Sequence, residues 1–347
     1  MHTRSIEPIA RGMQVLFNCH VPFMLTHGGA QVQIEQSKAA LEKLGVTVEP
    51  LRWWDGTQTG QILHHFARVP TSLIRMAQQK GLKVVMSAFL SGLGARPAWL
   101  RFVQRLVLRA CRPVAPGRVR DLFDWDSYRL LDAIFAQTPY EASLLTRIHN
   151  APPSRVHVIP NGVEEVFFDS QPVTRGQWLV CTANIIGMKR VLELARMAVR
   201  AETPVWIIGK PHSEADDYAR RFVEYARQHS PVVRYEGAIN DRERLARIYR
   251  EARGFVLLSE WESLSISALE AAACGCPLML SDLPWARQAF RDKAVYCPVR
   301  ETLHAAAARL RRFYEAAPSL EPPPKPLSWL DVGRLIRSVY ESILERK

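Results

Sequence analysis

Short apolar runs alternate with helical stretches along almost the whole 347-residue chain, and this alternation restricts the fold more than any single motif does. In the second half, Trp178–Thr182 reads as a strand, Arg190–Ala201 as a helix, Val205–Ile208 as a strand, Ala215–His229 as a helix and Val232–Tyr235 as a strand. The series continues with a helix over Arg242–Glu251, a strand over Gly254–Leu258, a helix over Ile266–Ala273 and a strand over Pro277–Leu280. The first half begins with a strand over Gln14–Cys19, a loop holding Gly28-Gly29, a helix from about Ala30 to Leu44 and a strand over Val46–Val48. Further strands are expected at Gln61–His64, Lys83–Ser87, Ala133–Gln137 and Val156–Ile159, with helices between them. Strands that alternate with helices must run parallel, because each crossover carries the chain back to the starting edge of the sheet. The expected fold class is therefore α/β, with two Rossmann-like domains whose parallel sheets face a central cleft.

The length suits two domains. Pro160-Asn161-Gly162 is a turn signal followed by a stretch without periodicity, so the boundary is set there. This gives 1–163 as the first domain, 164–326 as the second, and 327–347 as a terminal helix after the proline-rich Glu321–Pro326. From pattern alone, that helix either closes the second domain or crosses back onto the first. With 48% hydrophobic and 23% charged residues the composition is that of a folded protein. No apolar run approaches the roughly 20 residues a membrane span requires. Met1–Gly12 lacks the apolar core of a signal peptide, so a cytoplasmic location is expected. The six cysteines show neither C-x-x-C pairing nor histidines at metal spacing, and no structural metal is expected.

A net charge of +12 suits an anionic partner. Aromatic residues are not interleaved with the basic ones, and no zinc-finger or RNP pattern occurs, so nucleic acid is set aside. Arginines crowd the stretch from Arg96 to Arg120, mixed with Trp99, Phe102, Leu106 and other apolar residues. As a helix this segment either lies on an anionic membrane surface or packs on its domain with solvated arginines.

Glu260–Pro277 reads E-W-E-S-L-S-I-S-A-L-E-A-A-A-C-G-C-P and carries the chemistry. It runs from an apolar strand into a helix, whose first N–H groups and positive dipole end suit an anion. Ser265 and Ser267 add hydroxyls with little bulk. Glu262 precedes the helix and Glu270 lies about a turn inside it, so the two acids can flank a phosphate group. The same pattern also fits an ordinary serine-capped helix.

This segment resembles the E-x7-E signature of the retaining family-4 glycosyltransferases of GT-B architecture, including their A-C-G-C-P ending. The resemblance implies that Glu262 contacts the donor sugar and Glu270 the ribose. It implies further that Leu264, Ser265, Ile266 and Ser267 lie at the diphosphate, where many members have G-F-G and this chain has Ser263-Leu264-Ser265. Gly28 and Gly29 look like the family's glycine loop. Thr182–Arg190 is similar to its phosphate-binding segment, with Lys189 matching the diphosphate lysine and Asn184 standing where an arginine is usual. Arg190 or Lys210 then stands in for the missing cation. Gly209, Lys210 and Ile239 match positions at the nucleoside, and Ser328-Trp329…Tyr340 matches a terminal helix that crosses back to the first domain. His64 is the nearest candidate for an acceptor-side histidine, since Lys83–Ser87 leads into Ala88-Phe89. The resemblance implies a metal-independent enzyme without a cofactor, using a nucleotide-diphosphate sugar as co-substrate. Its acceptor is a glycan, a lipid-linked sugar or a small molecule in polysaccharide or glycoconjugate synthesis, with the protein cytoplasmic or peripheral at the inner face of the membrane. The rival readings are a sugar-nucleotide epimerase-like enzyme and a catalytically idle scaffold.

Overall fold

The computed structural model describes residues 12–20, 22–24, 28–89, 98–117, 119, 123–124, 126–169 and 173–346. The signal-peptide reading of Met1–Gly12, Gly12 apart, and Arg96, Arg118 and Arg120 of the arginine-rich stretch lie outside the described residues. Two six-stranded sheets, parallel throughout, organise the chain. The first is built from β1 (Gln14–Cys19), β2 (Thr47–Pro50), β3 (Ile62–Phe66), β4 (Lys83–Ser87), β5 (Ala133–Ala136) and β6 (Val156–Val158), in the order β2-β1-β3-β4-β5-β6. The second contains β7 (Leu179–Thr182), β8 (Val205–Ile208), β9 (Val233–Tyr235), β10 (Gly254–Leu257), β11 (Leu278–Ser281) and β12 (Val295–Cys297), in the order β12-β11-β10-β7-β8-β9. In each sheet the chain builds outward from the first strand on one side and later returns to its other side. The result is a switch point between β1 and β3, and another between β7 and β10, and ligands of open α/β sheets bind at such points.

Strand interiors such as Val84–Ser87 and Val205–Ile208 are wholly buried, as expected where helices cover both faces. One face of the first sheet packs Val15, Phe17 and Val85 against Trp329, Ile336 and Tyr340 of the terminal helix Trp329–Glu345. The other face joins Leu16, Leu63, Val84 and Ile134 in a separate cluster. The terminal helix therefore belongs to the core of the first domain although it follows the second in sequence. Ser328 and Asp331 form a capping box at its start.

The two stretches that cross between the domains run side by side. Val163 donates its N–H to the Leu327 carbonyl at 3.0 Å and accepts from the Trp329 N–H at 3.1 Å. A Cβ on Gly162 would stand 2.7 Å from the Trp329 Cα, so a glycine is required for this approach. Most element boundaries differ from the sequence reading by one or two residues. Strand β3 is the consequential case, because it spans Ile62–Phe66 rather than Gln61–His64 and places His64 at its centre.

His64 and His65 are both buried. Burial, reinforced by the neighbouring His65, pushes the His64 imidazole down from 6.5 to about 3. Burial and the nearby His20 bring His65 down to about 4. The unfolded chain takes up these protons near pH 6.5, and the fold refuses them until the pH is far lower. Their contribution to stability is therefore complete above pH 6.5 and shrinks as the pH falls toward 4, by up to about 1.4 kcal/mol per histidine per pH unit. Urea unfolding at pH 7 and pH 5 should show a clear fall in midpoint. A H64Q/H65Q variant should show a flatter dependence.

Candidate functional site

The carboxyl ends of β7 and β10 flank the second switch point, and the charged residues meet there. After β7 the chain passes Asn184 and makes a short turn of helix, Gly187–Lys189, which ends on Arg190 in the left-handed region at φ 53°. After β10 it passes Ser259 and Glu262 and enters the helix Ile266–Ala273. The Glu260 N–H donates to the Met188 carbonyl at 2.9 Å and ties the two loops together. Lys189 and Glu262 form an ion pair, with side chains 17% and 12% exposed. Ser259 Oγ donates to Glu262 Oε1 at 2.8 Å. A charge pair this poorly hydrated needs its hydrogen bonds completed, and Ser259 completes one of them.

Ser265 caps the following helix. Its Oγ accepts from the Ala268 N–H at 3.3 Å and lies 3.1 Å from Ser267 Oγ. The cap and the dipole leave the first turn, Ile266 and Ser267, as the electropositive end of the segment. The buried Leu264 is fixed from the other domain, because Asn161 Nδ2 donates to its carbonyl at 2.8 Å. Gly28 and Gly29 reach the same place from the first domain. A Cβ on Gly28 would stand 3.0 Å from Asn184 Nδ2, and one on Gly29 would stand 3.9 Å from Ile266 Cδ1. The structure thus brings Gly28, Gly29, Asn184, Lys189, Glu262, Leu264, Ser265, Ile266 and Ser267 together.

On the β8 side, Gly209 lies at φ 155°, and a Cβ there would fall 1.8 Å from the Ala183 carbonyl oxygen. Only glycine allows the ends of β7 and β8 to touch. Lys210 next to it is exposed, and its carbonyl accepts from the Ile185 N–H at 3.1 Å. Ile239 is half-buried against the core of the second domain.

Three expectations need correction. Arg190 does not stand in for the missing cation, since it turns away to donate to the Val299 carbonyl at 2.8 Å. Glu270 is not open to the cleft. Its side chain is 5% exposed and pairs with Arg242, which also holds Glu164 at 2.7 Å, while Tyr249 donates to it at 3.3 Å. Burial raises the Glu270 carboxyl above its ordinary range, and Arg242 works against that rise. Nothing in the sequence signalled Arg242, which is 28 positions from its partner. Nor does His64 line the cleft. It is 0% exposed, with Nδ1 2.6 Å from the Tyr340 hydroxyl and Nε2 2.9 Å from Ser87 Oγ, so it joins the terminal helix to the sheet.

A polar network missed in the sequence supports the site from the first domain. Gln137 donates to Gln33 Oε1 at 2.9 Å, and the buried Glu141 accepts from the Gln137 N–H at 2.9 Å. Burial pushes the Glu141 carboxyl up, against hydrogen bonds from Gln137 and from Ser263 of the loop after β10. Among the described residues, no cluster of histidine, cysteine, aspartate and glutamate is arranged to hold a metal ion.

Residues 178–316 match the family model described as "Glycosyl transferases group 1". Two curated relatives are named D-inositol 3-phosphate glycosyltransferase. The one from an Arthrobacter species is 30% identical over 197 residues, 51% of this chain and 45% of the relative. The one from Acidothermus cellulolyticus is 27% identical over 198 residues, 51% of this chain and 44% of the relative. The matches thus span about half of each protein. Among solved structures, sucrose-phosphate synthase from Thermosynechococcus elongatus superposes with a TM-score of 0.70 at 16% identity, covering 97% of this chain and all of that one. Anabaena HepE, solved in complex with UDP, superposes at 0.63 and 12% identity, covering 95% of this chain and all of that one. With its two facing parallel sheets the chain has the GT-B fold, and residues 178–316 are similar to the glycosyl transferases group 1.

Proposed function

We propose that the protein transfers a sugar, with retention of anomeric configuration, from a nucleotide-diphosphate sugar to a hydroxyl of a glycan, lipid-linked or small-molecule acceptor. The Lys189–Glu262 pair at the second switch point carries this reading, because it sits beside a helix N-terminus and opposite the Gly28–Gly29 loop. As the donor's glycosidic bond breaks, negative charge grows on the leaving diphosphate. Lys189 and the first-turn amides of Ile266 and Ser267 stabilise that charge. No cofactor is invoked. Glu262 holds Lys189 in place and contacts the donor sugar. The leaving phosphate accepts the proton of the acceptor hydroxyl, which attacks the same face of the sugar. The family match over residues 178–316, the relatives' names and the neighbours solved with UDP support a nucleotide-sugar donor.

An anionic membrane surface is the second partner we propose, and the helix Ala98–Val114 is the observation that favours it. Trp99, Phe102, Val103, Leu106, Val107 and Val114 recur at helical spacing and are all exposed. The opposite side meets the domain, where Leu108 packs on Leu144 and Ile148 and Arg101 bonds to the Tyr140 hydroxyl. The helix therefore turns its apolar stripe outward, on a protein of net charge +12. A stripe of this kind on a cationic protein suits the boundary between lipid headgroups and acyl chains. No helix among the described residues is long and apolar enough to cross a membrane. This placement suits a lipid-linked acceptor in cell-surface polysaccharide or glycoconjugate synthesis.

Incubation with radiolabelled UDP- and GDP-sugars should release nucleotide diphosphate. K189A should lower kcat by about 3–4 kcal/mol of barrier, a few hundredfold, as expected for loss of one stabilising donor. Binding of UDP without turnover of any donor would favour the idle scaffold, and a glycosyl adduct on Glu262 in mass spectrometry would contradict same-face transfer. In a separate measurement, the protein should sediment with phosphatidylglycerol-containing vesicles at low salt, and W99S/F102S/L106S should stay in the supernatant.

A further inference from the structure

The first sheet has its own switch point between β1 and β3, and the residues there are unlike the rest of that domain. Asn18, in β1, is in register with His65 of β3, and His20 follows two positions later on the same face. The Asn18 amide nitrogen is buried and has no hydrogen-bond partner among the described residues. His65 Nδ1 lies 3.1 Å from the Ala67 carbonyl, an acceptor only, so this nitrogen carries the proton. The neutral ring then offers Nε2 as an acceptor to His20 Nε2, 3.3 Å away. That makes His20 Nε2 the donor and leaves Nδ1 as the second hydrogen-bonding atom of the exposed His20 ring.

Next to His20 stands Trp53, with ring centroids 5.7 Å apart. Trp53 and Trp54 are 61% and 100% exposed. They occupy the two corners of a turn closed by the Asp55 N–H on the Arg52 carbonyl at 3.2 Å. The turn is not slack. Arg52 Nε donates to Asp55 Oδ2 at 2.8 Å, the Arg52 N–H donates to Gln58 Oε1 at 2.8 Å, and Gln58 Nε2 donates to the Pro50 carbonyl at 3.0 Å. Two large indoles are thus held out of the core by a braced turn, beside the exposed ring of His20. Exposed apolar surface of this kind, bordering hydrogen-bonding groups at a switch point, marks a binding site.

We propose that Trp53, Trp54 and His20 form a sugar-binding subsite that receives the acceptor. The indole faces pack on the apolar C–H face of a pyranose ring, and His20 Nδ1 hydrogen-bonds one of its hydroxyls. Among the acceptor classes above, this selects one that presents a sugar ring over a non-carbohydrate molecule. The acceptor role rests on the transfer reaction proposed above, whereas sugar binding stands by itself.

Saturation-transfer NMR on the full chain with methyl glucosides, galactosides and mannosides tests the subsite directly, and UDP binding by thermal shift tests the donor reading in the same samples. Wild-type protein should transfer saturation to at least one glycoside. W53S/W54S should lose that signal while keeping its UDP-induced shift, which also reports an intact fold. With that glycoside as acceptor, W53S and W54S should each raise its KM by about tenfold, the equivalent of about 1.4 kcal/mol, and leave the donor KM unchanged. H20A should lower kcat, and H20N, which keeps a hydrogen-bonding group near Nδ1, should recover some of the loss. Saturation transfer to no glycoside, or a signal that survives in W53S/W54S, would overturn the subsite. Sugar binding without a UDP shift would uphold the subsite and count against the donor reading.

Discussion

Lys189 and Glu262 are 73 positions apart in sequence and share one poorly hydrated crevice, and that contact constrains the whole second domain. Neither charge tolerates such burial alone, because the loss of hydration is offset only by the partner and by completed hydrogen bonds. The strands before them must therefore be neighbours. A sheet built in simple sequential order would separate β7 from β10 by two strands. The return of the chain to the free side of β7 makes them adjacent. Gly209 tightens the same end of the sheet by letting β8 close on Ala183.

The two domains meet through buried polar groups as well as apolar ones. Asn161 lies at the crossing yet fixes the Leu264 carbonyl, and Glu141 reaches Ser263 from a helix of the first domain. Hydrogen bonds specify a relative position more sharply than apolar contacts do, because each has a short, directional optimum. The loop that carries Glu262 and leads into the helix Ile266–Ala273 is thus positioned from both sides. Deeper in the second domain Arg242 acts in a similar way, pairing with both Glu164 and Glu270.

Much of this was legible in the sequence. The alternation of apolar runs with helical periods implied parallel sheets, and the spacing from Glu260 to Pro277 pointed to the helix start that the site uses. What escaped was information about direction. His64 and His65 are adjacent and chemically identical, and only the true span of β3 shows that His64 is bound by Tyr340 and Ser87 while His65 faces His20. The stretch around Arg101–Arg109 announces two faces, but periodicity does not say which face the domain takes, and here Leu108 and Arg101 pack inward. Short β12 lacked enough residues to show a pattern. The partners Arg242 and Glu270 are linked only through the packing of two helices.

The paired crossings at Val163 and Ser328 give the molecule a particular mechanical character. Two stretches of the chain joined by hydrogen bonds on either side of one residue, with the Gly162 backbone pressed against Trp329, resist sliding and shear more than torsion. The lobes are joined as the covers of a book are joined at the spine. A swing about that axis is the movement this arrangement favours. It would separate Gly28 from Asn184 without disturbing either sheet, at the cost of cross-domain contacts such as the Tyr140 N–H on Gln288 Oε1 at 3.0 Å.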